Sequence, residues 1–309
     1  MAKAIREIYG ETLAELGNTM ENLVVLDADV AGSTKSILFG KAHPDRFFDM
    51  GIAEANMAAT AAGMAATGLV PFINTFAVFV TSASLVALRG QICYGNLNVK
   101  LGGAYAGMSD ARDGATHHAL EDLAVTRSLP NMRVLSVCDA AETRWATKAA
   151  AELDGPVYIR LSREAMPDLY APDHKFTFGK AERVREGGDA TIIATGLPVH
   201  NALAAAEVLT AEGISVMVLD MHTIKPLDTL AVLEAAARGP IVTVEEHSVI
   251  GGLGSAVAEV LAGAGSGSKL IRLGLQDTFS ETGDYPSLLK KYGLDGDSIA
   301  EAVKRSLNQ

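Results

Sequence analysis

Cysteine is scarce, and the two present, Cys93 and Cys138, form no C-x-x-C pair and no spacing that zinc ligands adopt. Both lie in apolar stretches, which reads as buried thiols in a reducing compartment. Positive charge is also short. Lys and Arg number 26 against 37 Asp and Glu, a formal net charge of −11. That balance argues against a nucleic-acid partner or an anionic membrane surface, so any anion site must be a local cluster of donors. No apolar run reaches the ~18 residues of a membrane-spanning helix. Met1–Gly17 is charged and amphipathic, unlike a signal peptide. The expected location is the cytoplasm, with neither membrane nor nucleic acid as partner.

What is present suits a globular protein with sizeable cores: 49% hydrophobic and 20% charged residues. At ~150 residues per domain, the length predicts two domains. Short apolar runs at 23–26, 69–73, 99–102, 133–137 and 157–161 read as strands buried on both faces. Helical stretches at 54–67, 84–93, 119–128 and 140–153 lie between them. Such alternation implies right-handed crossovers and a parallel sheet. The rhythm breaks near Pro167 and Pro172, then resumes with strands at 191–194, 215–219, 241–244 and 271–273. Helices are expected at 198–212, 227–237 and 254–261. The predicted class is α/β in two domains, 1–165 and 181–309, each a mostly parallel sheet flanked by helices, joined by a linker over 166–180.

Five segments carry candidate chemistry, and each has a plainer alternative. Glu54, in Gly51-Ile52-Ala53-Glu54, falls at a helix N-terminus, where the dipole favours a carboxylate; first-turn glutamates are also common. Phe76 and Phe79, at i and i+3, form either a core pair or a stacking wall for a flat ring. Asp113-Gly114-Ala115-Thr116-His117-His118 offers a histidine for acid–base work, or two solvated loop histidines. Arg163 ends a strand, where ligands collect in parallel sheets; it could hold an anion by paired hydrogen bonds or make a surface ion pair. The glycines of 251–254, after Glu245-Glu246-His247, either cradle an anion or permit close packing.

Together, these segments resemble the C-terminal half of transketolase. Gly51-Ile52-Ala53-Glu54 resembles G-[IV]-x-E, Thr75-Phe76-x-x-Phe79 resembles T-F-x-x-F, and Asp113–His117 resembles D-G-P-T-H. Leu161-Ser162-Arg163 resembles L-S-R, and Glu245 to Gly254 the C-terminal signature. The resemblance implies thiamine diphosphate as cofactor. Glu54 would hydrogen-bond N1′ of its aminopyrimidine, and Phe76, Phe79 and Asp29 would lie beside it. His117 would face the reacting centre and Asp113 a sugar hydroxyl. Arg163 and Ser33 would bind the anionic end of the substrate. The implied reaction moves a two-carbon ketol unit from a ketose to an aldose.

The diphosphate half of such a site is missing. Its usual motif is G-D-G with a downstream Asn, and Gly188-Asp189-Ala190, Gly283-Asp284-Tyr285 and Gly296-Asp297-Ser298 all differ at the third position. A hard cation needs several oxygen ligands. The expectation is therefore a partner, an N-terminal diphosphate-binding transketolase subunit that holds Mg²⁺ or Ca²⁺. This chain would form a homodimer within an α₂β₂ assembly. Two positions depart from the family pattern near the sugar: Tyr105 stands for a His and Arg112 for a Glu. They point to an anionic ketose other than the usual sugar phosphates. The competing readings are a 1-deoxyxylulose-5-phosphate synthase-like enzyme, a 2-oxoacid dehydrogenase beta subunit and a non-catalytic partner-binding homologue.

Overall fold

Apolar β-rich runs build two sheets in the computed structural model, which describes residues 3–308. The strands are β1 (Leu23–Asp27), β2 (Phe47–Asp49), β3 (Val70–Phe76), β4 (Lys100–Ala104), β5 (Arg133–Ser136) and β6 (Val157–Leu161). They continue with β7 (Glu182–Arg185), β8 (Ala190–Ala194), β9 (Val216–Asp220), β10 (Thr223–Lys225), β11 (Ile241–Ser248) and β12 (Leu270–Leu275). The first sheet runs β10-β5-β6-β4-β3-β1-β2 and the second β12-β11-β8-β9-β7. All pairings are parallel except β10 on β5 and β7 on β9.

Every residue of β1, β4, β6, β8 and β9 is buried, as expected for strands covered by helices on both faces. Three strands are not foreseen by the sequence pattern. β2, β7 and β10 have three or four residues, too few for a period to show. The helix expected over 119–128 begins at Asp122. The one expected over 84–93 is a short turn at Leu85–Ala87 followed by a π-helical turn, Leu88–Cys93. Both cysteines are buried and free.

The two sheets are tied together by buried polar groups. Arg160 of β6 pairs with Asp122 and also donates to the Glu246 carbonyl at 2.9 Å. Glu246 accepts from the Met108 amide and from Tyr285 Oη, the latter at 2.7 Å. Residues 166–180 hold no helix or strand, yet they are fastened. Asp139 accepts from the amides of Leu169 and Tyr170, and Tyr170 Oη donates to Asp220 at 2.7 Å.

Candidate active site at the carboxyl edge of the first sheet

In an open parallel sheet, ligands bind beyond the carboxyl ends of the strands. The sequence candidates gather there. Asp29 and Ser33 follow β1, Glu54 follows β2, and Phe76 ends β3. Tyr105 and the loop to His117 follow β4, and Arg163 follows β6. Register aligns these ends: Asp27 lies beside Asp49 and Asn74, Phe76 beside Ala104, and Ala104 beside Leu161. β2 is the strand that carries the chain to Glu54.

Glu54 is the first residue of the helix Glu54–Ala66 and is half-buried. Among the described residues its carboxylate has no hydrogen-bond partner, while its carbonyl accepts from Ser84 Oγ at 3.0 Å. Phe76 closes β3 and Phe79 lies in the following helix, Ala77–Ser82, so the pair spans a strand–helix junction rather than one helical face. Their rings still stack, with centroids 6.0 Å apart. His117 presents its edge to both, at 6.0 and 5.4 Å. Its neighbour His118 is buried, bound to Ser280 Oγ and the Asp110 carbonyl. Burial lowers the His118 pKa, so it is a neutral structural histidine rather than a solvated one.

A second cluster adjoins the rings. Tyr105 packs on Phe76 with centroids 4.5 Å apart. Arg163 and Arg6 approach its ring centroid at 5.1 and 5.3 Å. Arg6 bonds Tyr105 Oη and donates to the Ser33 carbonyl at 3.1 Å. Tyr105 and Asp29 hold φ of 60° and 63°. Non-glycine residues adopt that left-handed region rarely, and such outliers concentrate at functional sites. Arg112 joins Arg163 along one cleft of about 330 Å³ with Glu164, Asp284 and Tyr285. Asp113 is exposed, and its amide donates to the Asp110 carbonyl at 3.0 Å.

Three residues of the site carry no sequence signal that would single them out. Arg6 is one charged residue among many in an amphipathic helix, and nothing local marks it. Asp27 is fully buried and accepts from the Val30 amide, Thr34 Oγ1 and Ser36 Oγ at 2.7–2.8 Å, shaping the loop that carries Asp29 and Ser33. Burial raises its pKa against those bonds. Asp110 is fully buried behind Arg163 and pairs with it. The glycines of 251–254 cradle an internal anion: the Glu245 carboxylate accepts from the amides of Leu253 and Gly254 at 2.6 and 2.8 Å. Among the described residues, Cys138, Glu142 and Asp220 lie close enough to reach one ion. They are buried between the two halves, beyond the carboxyl end of β5.

Residues 1–168 match the model for the transketolase pyrimidine-binding domain, and residues 179–299 that for the transketolase C-terminal domain. The 6-deoxy-6-sulfo-D-fructose transketolase subunit SqwH of a Clostridium species is 41% identical, over 97% of this chain and 93% of its own. One of the subunits of the apulose-4-phosphate transketolase of Phocaeicola vulgatus is 38% identical, over 97% of this chain and 96% of its own. A solved structure described as a split gene transketolase, an inactive beta4 tetramer, superposes with a TM-score of 0.90 at 46% identity. It covers 100% of this chain and 99% of that one. The chain therefore belongs to the transketolase family and carries its pyrimidine-binding and C-terminal domains.

Proposed function

We propose that this subunit, with a diphosphate-binding partner, transfers a two-carbon ketol unit from an anionic ketose to an aldose. The observation that carries this is the convergence along one sheet edge of a free carboxylate, an aromatic wall with a histidine, and a guanidinium pair. The family's cofactor, thiamine diphosphate, fits one part of this surface. Partly exposed Phe76 and Phe79 suit a flat ring, and Glu54 suits a ring nitrogen. Among the described residues, this edge does not gather the oxygen ligands that a diphosphate-bound cation needs. Mg²⁺ or Ca²⁺ would then sit in the partner.

When bound, the cofactor supplies the electron sink for cleaving the bond beside the donor's carbonyl. The chain's own residues do the rest. Glu54 holds a proton at the ring nitrogen N1′. Phe76 and Phe79 exclude water from that contact, and Asp29 lies beside it. His117 exchanges a proton with a donor hydroxyl, and Asp113 orients a second hydroxyl. Arg6, Arg163 and Ser33 receive the anionic end, with Tyr105 holding both guanidinium groups in place. Arg112 lines the approach to that end. The named substrates of the two relatives, a sulfonated and a phosphorylated ketose, support an anionic sugar here.

Self-association is supported by the exposed face of the helix Glu54–Ala66, which presents Ala55, Asn56 and Gly63, and by nearby exposed Ile52 and Val86. We place this face at the contact between two copies in an α₂β₂ assembly. The division into 1–165, 166–180 and 181–309 is the domain description that goes with this reading. The relative that forms an inactive tetramer of one subunit fits a need for the second. The test mixes this chain with a candidate diphosphate-binding subunit, thiamine diphosphate and Mg²⁺, and assays ketol transfer. Transfer by the mixture and by neither chain alone is expected. Transfer by this chain alone would overturn the proposal.

A further inference from the structure

Asp110 has no part in the roles above, yet it is built into the site. Its carboxylate is 0% exposed and pairs with Arg163, which is 36% exposed. The backbone around it is fastened. Its carbonyl accepts from the Asp113 amide at 3.0 Å and from His118 at 2.9 Å. Ser109 Oγ accepts from the Arg163 amide at 2.9 Å and donates to the Ala106 carbonyl at 2.6 Å. Among the described residues, the second carboxylate oxygen has no hydrogen-bond partner. Arg163 is thus neutralised from behind while its open side faces the site. Arg6, across the Tyr105 ring, makes no ion pair among the described residues. Arg112 is exposed and shares its cleft with Glu164 and Asp284, so its charge is screened by solvent.

The balance decides which anion fits. The cost of drying an ion rises with the square of its charge, so a dianion needs more fixed positive charge than a monoanion. Two guanidinium groups would supply it. With Asp110 behind one of them, every added negative charge on the ligand also meets a buried carboxylate. We infer that Asp110 makes this site selective for a ketose ending in a singly charged tetrahedral anion, such as a sulfonate, over the same ketose ending in a dianionic phosphate. Burial pushes Asp110 up to about 6 against the pull of Arg163. At pH 8 it is ionised.

This inference rests on the ketol-transfer reading, and the test separates the two. Steady-state kinetics of the two-subunit complex at pH 8 would compare a 6-phosphorylated ketohexose with its 6-deoxy-6-sulfo counterpart. A lower KM for the sulfonate is expected of the unaltered protein. Asp110→Asn keeps the shape and removes the charge. It should move the KM ratio towards phosphate by about tenfold, with kcat for both donors changed much less. A phosphate preference in the unaltered protein overturns the inference and needs no variant to fold. So does a ratio that Asp110→Asn leaves unmoved. Calorimetric binding of both sugars to the complex carrying Glu54→Gln reads the same ratio without turnover. If no donor is turned over yet that ratio holds, the reaction assignment fails and the anion selectivity stands.

Discussion

Glu54 carries the sharpest prediction because its carboxylate has no partner among the described residues. Glu54→Gln keeps the helix and the hydrogen-bonding shape but cannot hold a proton for a ring nitrogen. The reconstituted enzyme should lose about 10²–10⁴ in kcat, measured with the unaltered subunit in parallel, and near-normal turnover would remove Glu54 from the site. Arg6→Ala should act differently. Loss of a charge-assisted hydrogen bond costs about 1.5–3 kcal/mol, so the donor's KM should rise about tenfold or more with kcat little changed. Glu54, the Phe pair, His117 and Arg163 are legible in the sequence because each sits in a short local pattern. Arg6, Asp27 and Asp110 are not. Arg6 meets Tyr105 across 99 positions of chain, and Asp110 gains its meaning from a strand end 53 residues on. No window of sequence holds both partners of such a contact.

At the scale of elements, long uniform strands are legible and short edge strands are not. β1, β4 and β6 read directly as apolar runs. β2 contains Phe47-Phe48-Asp49 and is half open to solvent, so it reads as the approach to a helix. Ala119 is taken up in bridges to Ala106 and Gly107, so the helix expected from 119 starts only at Asp122. Its carboxylate binds Arg160 Nε and Tyr158 Oη at 2.7 Å each. Burial alone would raise its pKa, but Arg160, His247 and these bonds outweigh it and hold the acid low. Asp122→Ala would leave a buried guanidinium uncompensated, which costs about 3–5 kcal/mol. A lower urea midpoint should show this. A midpoint unchanged from the unaltered chain would mean that solvent reaches Arg160. A depressed carboxyl stabilises the fold above its unfolded pKa, and that part is lost as pH falls from there through the folded one.

The whole molecule responds to pH in a separate window. Glu246 and Asp220 are each pushed up to about 7, chiefly by burial. Burial and the nearby Asp220 also raise Glu142. One oxygen of Glu142 and one of Asp220 lack any donor among the described residues, as expected where two carboxyls share a proton. A raised folded pKa gives stability that is complete below the unfolded value and fades as pH climbs through the folded one. Stability should therefore decline from about pH 4 towards about pH 7, read as a falling urea midpoint. Glu142→Gln supplies its own proton donor to Asp220 and should flatten that decline. An equally steep decline in the variant would place the titration elsewhere.

β10 leaves the second half of the chain to complete the first sheet, pairing Thr223 and Lys225 with Leu135 and Val134. The two halves are thus joined by strand exchange as well as by the covalent link at 166–180. A protein fragmented within 166–180 would expose the β5 edge, and bare edges invite pairing between copies. The fragments should be recovered as aggregates when made separately and as a soluble pair when made together. The relative described as a split gene transketolase shows that the family can be divided between genes, but β10 makes this junction resist the same fission.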